Sequence, residues 1–161
     1  MPRTDYEIRI TPSVLDRLID YEPNISSEPA KSRAKTLAEL KQSIRRDLEW
    51  LLNTRQYIAE VDKNLEEVPK SVAMFGLPDF TGAGVKSNAE QKRLLKQIEM
   101  AVKFFEPRFL DLKVSYEPLE GVERILKFKI EAKLDIEPTP EPVVFDTVLQ
   151  IGSGNFEVKE K

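Results

Sequence analysis

The sequence contains no cysteine and no histidine among its 161 residues. Without cysteine the chain can form no disulfide and has no thiol nucleophile. Without histidine it lacks the base of serine and cysteine hydrolases, an imidazole pH switch and the commonest zinc ligand. Catalysis would have to rely mainly on carboxylates or lysines. The composition therefore favours either an enzyme of that kind or a protein without catalytic activity.

Long apolar runs and a strong charge imbalance are also missing. No stretch approaches the roughly 20 apolar residues of a transmembrane helix, and the start of the chain has no apolar core of a signal peptide. Lysine and arginine number 25 against 28 acidic residues, which gives a net charge of −3. No broad basic field is expected for nucleic acid or anionic membrane. We therefore expect a cytoplasmic protein with no nucleic-acid partner and no direct membrane insertion.

The residues that are present suit one soluble domain. Hydrophobic residues make up 40 % of the chain and charged residues 33 %, enough for a core inside a polar surface. A domain usually holds about 100–200 residues, so a single domain over residues 1–161 is predicted. Near the start, apolar residues alternate with charged ones, and this pattern predicts an extended N-terminal arm within residues 1–12.

Two long amphipathic helices dominate the first two thirds of the chain. Apolar residues at spacings of three and four predict a helix over residues 34–52 and another over residues 88–105. Pro107 ends the second helix, because proline disfavours helical geometry in the residue before it. Ile44 and Leu48 are expected to be buried and to face a sheet.

The segments before and between these helices have less regular patterns. A shorter helix is predicted over residues 13–20, and it is expected to bury Val14, Leu15, Leu18 and Ile19. Residues 53–88 show weak periodicity broken by five prolines and glycines, and a stretch of this length is often functional. Short helical pieces are expected near residues 57–65 and 71–74, followed by a shaped turn at residues 75–79.

The last third of the chain predicts an antiparallel meander. Alternating apolar and polar residues indicate strands over residues 110–116, 125–136 and 143–151, with a short end around Phe156 and Val158. The apolar set of the first strand is Leu110, Leu112, Val114 and Tyr116. Because helices come first and the meander last, we expect an α+β fold with N-terminal helices packed on a small C-terminal antiparallel sheet.

Short motifs give no catalytic site. A pair of carboxylates could serve glycoside hydrolysis, but with 28 acidic residues some pair is expected in any fold, and solvated surface acids are the favoured interpretation. Two glycine pairs, at residues 82–84 and 152–154, lack the surrounding pattern of a phosphate-binding loop and are explained by turn geometry. No catalytic residue, metal ligand or cofactor is predicted.

The segment Glu106-Pro107-Arg108 is the most informative of the short motifs. It lies between the second long helix and the first strand, and its proline fixes the backbone there. The planar fork of an arginine suits carboxylates and backbone carbonyls. On physical grounds an ordinary charged junction is favoured, because ions at the ends of helices and strands are common. The alternative is a docking corner whose charges are held out toward a partner.

Four motifs in a fixed order carry a resemblance to a known family. They are residues 13–18 (SVLDRL), 43–55 (SIRRDLEWLLNTR), 75–79 (FGLPD) and 105–108 (FEPR). With a β-meander after the last motif, the chain resembles the TssE family of type VI secretion baseplate proteins, which groups with phage baseplate-wedge proteins once labelled lysozyme-like. The resemblance covers about residues 13–150. Phe75 stands where many relatives are expected to have tyrosine.

The resemblance implies a non-enzymatic structural role. It implies that the protein joins TssF and TssG in the baseplate wedge and templates the contractile sheath of TssB and TssC, with TssK as a further candidate partner. It also implies that Glu106, Pro107 and Arg108 bind a partner, and that the protein works in the cytoplasm at the baseplate docked on the inner membrane. The older label leaves open an alternative, a carboxylate-dependent peptidoglycan hydrolase.

Overall fold

The computed structural model describes residues 10–27, 31–57, 62, 64–80, 87–117 and 125–161. Within these residues the chain forms three α-helices: α1 (Val14–Leu18), α2 (Arg33–Asn53) and α3 (Asn88–Phe105). They are followed by four strands: β1 (Phe109–Glu117), β2 (Ile125–Leu134), β3 (Glu141–Gln150) and β4 (Asn155–Glu160). The strands form one antiparallel sheet in the order β1-β2-β3-β4. The α+β prediction, helices first and a C-terminal antiparallel meander last, is confirmed.

The two long helices begin at serine caps and pack near opposite edges of the sheet. The Ser32 hydroxyl accepts a hydrogen bond from the backbone N–H of Lys35 at the start of α2, and Ser87 with Glu90 forms a capping box at the start of α3. Helix α2 packs on β4, and α3 packs on β1. Ile44 and Leu48 are 0 % and 1 % exposed, so their predicted burial is confirmed.

The core lies between the helices and the inner face of the two central strands. In β2 and β3 the side chains alternate between buried and half-buried, as the sequence pattern predicted. The central fully buried residues of these strands are Phe128, Ile130, Leu134, Phe145 and Leu149. Strand β2 ends at Leu134, two residues before its predicted end. Strand β3 begins at Glu141, two residues before its predicted start.

The prediction that the first helix buries its apolar residues is wrong. Val14 and Leu18 are 66 % and 76 % exposed, Leu15 is also exposed, and Ile19 is only half-buried. The five-residue helix is attached through its polar side instead. Asp16 accepts hydrogen bonds from the hydroxyls of Ser13 and Ser43 at 2.6 and 2.7 Å, and it pairs with Arg46 at 3.0 Å. Because these bonds turn Asp16 toward α2, the apolar residues face solvent.

The predicted apolar set of β1 is also wrong at its first member. Leu110 is 38 % exposed, whereas Phe109 packs against the core. The pairing of β1 with β2 shifts between Leu110 and Lys113, where Asp111 has a φ of 51°. Such a bulge inserts an extra residue and changes which side chains point inward. Because the sequence pattern does not reveal the bulge, simple alternation placed Leu110 on the inner face instead of Phe109.

The turn after the irregular region has a structural requirement for glycine. Gly76 has a φ of 110°, and a Cβ at this position would collide with the carbonyl group of Thr54. The backbone N–H of Leu77 donates to that same carbonyl oxygen at 2.9 Å. The predicted turn at residues 75–79 thus holds Phe75 beside the end of α2. The predicted short piece near residues 71–74 is the 3-10 turn Val72–Met74.

Several predictions fall on residues outside the described part of the chain. These include most of the extended arm at residues 1–12, most of the helical piece near residues 57–65, and the glycine pair at residues 82–84. They stay predictions. The second glycine pair lies in the described β3–β4 turn, where Gly154 has a φ of 70°.

Candidate docking corner

The segment Glu106-Pro107-Arg108 forms a tight corner between α3 and β1. The backbone N–H of Glu106 closes the last turn of α3 on the carbonyl oxygen of Val102 at 2.9 Å. The carbonyl oxygen of Arg108 accepts a hydrogen bond from the N–H of Asp135 at 2.9 Å. Pro107 is exposed at the tip. The corner is therefore fixed on both sides, by the helix before it and by the end of β2.

The charges of the corner turn inward, so the part of the docking alternative that has them held out toward a partner is wrong. Glu106 is 4 % exposed. Arg108 donates from Nε and Nη2 to the two carboxylate oxygens of Glu106, both at 2.5 Å. Nη2 also donates to Oδ2 of Asp47, on α2, at 2.7 Å. Because a buried carboxylate needs a charged hydrogen-bonding partner, Glu106 holds the arginine against the helix.

Asp47 continues this contact into a chain of ion pairs. Its other oxygen is 2.8 Å from Nη2 of Arg46, and Arg46 reaches Asp16 in α1 at 3.0 Å. Five charged side chains thus join three separate segments: Asp16, Arg46, Asp47, Glu106 and Arg108. We call them the ion-pair chain. It contains three carboxylates and two guanidinium groups.

The ion-pair chain shifts the pKa values of its end members toward the charged forms. Burial alone would lower the pKa of Arg108, but hydrogen bonds and charge from Glu106, then from Asp47, raise it above its ordinary value. Burial alone would raise the pKa of Asp16, but hydrogen bonds from Ser13, Ser43 and Arg46 lower it overall. The contacts at the two ends therefore favour the charged forms of Asp16 and Arg108.

A cavity of about 190 Å³ opens beside the corner, between α2, the end of α3 and the turn at Phe75. Trp50 lines its rim and is 53 % exposed. The Cζ atom of Arg46 lies 5.1 Å from the centre of the tryptophan ring. The rings of Phe75 and Phe105 meet edge to face with centroids 5.2 Å apart. The lining residues that carry charge are Asp47, Glu106 and Arg108.

Sequence reasoning selected the corner but missed the α2 side of this site. Asp47 and Trp50 lie within the motif at residues 43–55, yet no contact with the corner was assigned to them. Their positions gave a usable signal, because a charged residue next to the buried stripe of a long helix can reach a neighbouring segment. The identity of that segment depends on how α3 crosses α2, and apolar spacing does not determine this.

The two edges of the sheet differ in what covers their backbone. At the β4 edge, the side-chain amide of Asn53 donates to the Phe156 carbonyl oxygen at 2.9 Å and accepts from the Phe156 N–H at 2.8 Å. Arg45 donates to the Val158 carbonyl oxygen at 3.2 Å. At the outer edge of β1, no residue in the described part of the chain makes such a bond. Within the described residues, the β4 edge is closed and the β1 edge is open.

Two other kinds of site were searched for within the same described residues. No group of three or more acidic, histidine or cysteine side chains there is arranged to hold a metal ion. None of the helices in that part of the chain is long and apolar enough to span a membrane.

The corner lies within the part of the chain that matches a known protein family. The profile described as "Baseplate wedge protein gp25" matches residues 38–139, from α2 through the corner to the end of β2. No curated protein sequence matches the chain. The profile covers more than half of the chain, and three of the four motifs that suggested the resemblance lie within it. The chain belongs to the baseplate wedge protein gp25 family, the family that includes TssE.

Proposed function

We propose that this baseplate component is a non-enzymatic part of a type VI secretion wedge, where it joins TssF and TssG and templates the sheath of TssB and TssC. It works in the cytoplasm at the baseplate docked on the inner membrane, with TssK as a further neighbour. The observation that carries the proposal is the corner, which is locked to α2 by the ion-pair chain and presents Pro107 at the surface. A rigid presented corner suits docking.

The corner is organised in advance of binding. Glu106 and Asp47 fix two of the three guanidinium nitrogens of Arg108, while Nη1 has no hydrogen-bond partner in the described residues. A partner can therefore contact Pro107 and the remaining donors of Arg108 with little further loss of side-chain entropy. In this arrangement Glu106 positions Arg108, and Pro107 and Arg108 make the contact.

The test is binding of purified TssF–TssG complex to variants that keep the positive charge. Arg108→Lys removes the planar fork, so affinity is expected to fall about tenfold or more, as expected for losing a charge-assisted contact. Arg93→Lys, on the exposed side of α3, is the matched control and keeps parental affinity. Circular dichroism reports the folded fraction of each variant. Parental affinity of folded Arg108→Lys would remove the corner from the interface.

Templating of the sheath is supported by the open edge of β1. An unpaired edge strand offers N–H and C=O groups to an incoming strand, whereas the β4 groups are already occupied by α2. Hydrogen exchange with and without TssB–TssC tests this. Added protection of β1 amides, with β4 unchanged, is the expected result. Protection confined to β4, or no protection in a complex that forms, contradicts it.

A hydrolase is the second candidate, because Asp47 and Glu106 line the same cavity. Two observations weigh against it. Both carboxylates bind the guanidinium group of Arg108, whereas glycoside hydrolysis needs two carboxyl groups that contact the substrate on either side of the scissile bond. The cavity of about 190 Å³ is also below the roughly 300–1,000 Å³ of ligand sites. Purified protein is expected not to clear peptidoglycan. Clearing that is abolished by Glu106→Gln would establish the hydrolase.

A further inference from the structure

The ion-pair chain carries more negative than positive charge. Its carboxylates, on Asp16, Asp47 and Glu106, number three, and its guanidinium groups, on Arg46 and Arg108, number two. Three minus two leaves one uncompensated negative charge. Two of the carboxylates, Asp47 and Glu106, line the cavity. Arg108 is the third charged lining residue, so the wall of the cavity carries two negative charges and one positive charge.

The rest of the lining is aromatic and suits a cation with an apolar stem. Trp50, Phe75 and Phe105 provide ring surface, and the faces of such rings attract ammonium and guanidinium groups. Arg46 already lies over Trp50 with its Cζ 5.1 Å from the ring centre. Long basic side chains characteristically bury an aliphatic stem and keep a charged head beside polar groups.

We infer that the cavity takes one basic side chain, an arginine or lysine, from a protein that docks on the corner. Its stem packs among the rings of Trp50, Phe75 and Phe105, and its charged head meets the carboxylate of Asp47, which is 27 % exposed, whereas that of Glu106 is 4 % exposed. The inference rests on the proposed docking function and names the chemistry that the docked partner brings. The volume of about 190 Å³ fits a single side chain.

Other occupants fit the cavity less well. An acidic side chain would add to a negative surplus, which raises the energy of the pair in a partly buried site. A purely apolar side chain would cover Asp47, Glu106 and Arg108 without giving them a new hydrogen bond, so their desolvation would not be compensated. A basic side chain balances the charge and uses the aromatic surface as well.

The single tryptophan of the chain allows a direct test. Trp50 fluorescence is titrated with N-acetyl-arginine amide and, in parallel, with N-acetyl-citrulline amide, which has nearly the same shape but no charge. We expect the fluorescence of Trp50 to change saturably with the arginine derivative, and the affinity for the citrulline derivative to be lower by about tenfold or more. Only the arginine derivative can make charge-assisted hydrogen bonds. Equal responses, or no saturable response from folded protein, overturn the inference.

Two variants on α2 test whether the arginine derivative binds at the cavity. Asp47→Asn removes the surplus charge at the cavity and is expected to weaken binding of the arginine derivative about tenfold. Glu49→Gln makes the same change two residues along, in an ion pair with Arg45 away from the cavity, and leaves binding unchanged. Equal affinity of folded Asp47→Asn and the parent contradicts the inference. The citrulline comparison decides the question if Asp47→Asn does not fold.

Binding of TssF–TssG to the same two variants separates this inference from the proposed function. If the parent protein does not bind TssF–TssG, the proposed wedge role fails, whatever the arginine derivative does. If TssF–TssG binds the parent and folded Asp47→Asn equally, docking stands and the basic side chain is excluded. If Asp47→Asn loses TssF–TssG binding and Glu49→Gln keeps it, both the proposed docking and the basic side chain in the cavity are supported.

Discussion

The two edge strands of the sheet are attached to the same helix in different ways. Side chains of α2 bind the backbone of β4 within the strand, at Phe156 and Val158. Among the described residues, the ion pair that links the start of β1 to α2 joins Arg108 and Asp47, ahead of the first residue of the strand. Helix α2 thus closes one edge of the sheet, and no side chain in the described part of the chain closes the other. Because an unpaired edge is a hazard for a solitary protein, an edge left open favours a strand-binding role.

The inner face of β1 is also less covered than the rest of the sheet. Leu112, Val114 and Tyr116 are half-buried, whereas the inward residues of β2 and β3 are almost fully buried. An added strand with apolar residues on this side would remove more of their surface from water. Main-chain pairing and apolar burial would then act together at the same edge.

Removing the attachment of β1 is the change with the largest expected effect. Arg108→Ala leaves the buried carboxylate of Glu106 without its partner, so we expect a loss of about 3–5 kcal/mol in the free energy of unfolding. Urea denaturation measures it. Arg93→Ala, at an exposed arginine of α3, is the control and stays close to the parent. Adding Glu106→Gln to Arg108→Ala should recover part of the loss, because the uncompensated charge is gone. If Arg108→Ala unfolds like the parent, the corner does not secure β1.

Opening the closed edge is expected to cost less. Asn53→Ala leaves both the N–H and the C=O of Phe156 without their side-chain partner, at about 1–3 kcal/mol in the free energy of unfolding. Gln42→Ala, on the exposed surface of the same helix, controls for loss of an amide. Sedimentation of Asn53→Ala shows whether the opened edge now pairs with a second copy. An unchanged free energy of unfolding would mean that water replaces Asn53 at no cost.

Sequence reasoning recovered the long elements because their patterns are regular. The apolar spacing around Ile44 and Leu48 sufficed to place α2, and strict alternation sufficed for β2 and β3. It failed at α1, whose orientation is decided by Asp16 binding Ser43 and Arg46, residues distant in the chain.

The corner shows the same limit within the candidate site. Its position followed from the sequence, since Pro107 separates a helix pattern from a strand pattern. Its inward-turned charges did not, because they depend on Asp47 lying beside Arg108, 61 residues away along the chain. The bulge at Asp111 was similarly invisible to alternation.

Acid is expected to loosen β1 more than β4. A hydrogen bond from Lys127, aided by its charge and by Lys129, lowers the pKa of Glu117, at the end of β1, below its ordinary value of 4.5. A lowered folded-state pKa means that the stabilisation is present above about 4.5 and is lost as the pH falls through the lowered value. Unfolding free energies of the parent and Glu117→Gln should therefore differ above that pH and converge below it.

The matched control for this pH dependence lies on the closed edge. Glu157 of β4 pairs with Lys159 at 3.0 Å, but both side chains are more than half exposed. Glu157→Gln is expected to change the pH dependence less than Glu117→Gln, because solvent screens an exposed pair. Equal changes in the two variants would show that the ion pair of β1 has no special part in holding the strand.

The smallest expected difference between the two edges is in the hydrogen exchange of individual backbone amides. It does not affect overall stability. In an open edge strand, alternate N–H groups bind the neighbouring strand and the others face solvent. Exchange along residues 113–117 of β1 should therefore alternate between slow and fast, whereas the outward N–H of Phe156 should exchange slowly because Asn53 accepts its hydrogen bond. Nuclear magnetic resonance resolves these amides one by one. Uniformly slow exchange along β1 would mean that this edge is already covered. If dilution restores the alternation, a second copy of the protein covers it. If dilution has no effect, another part of the same chain covers it.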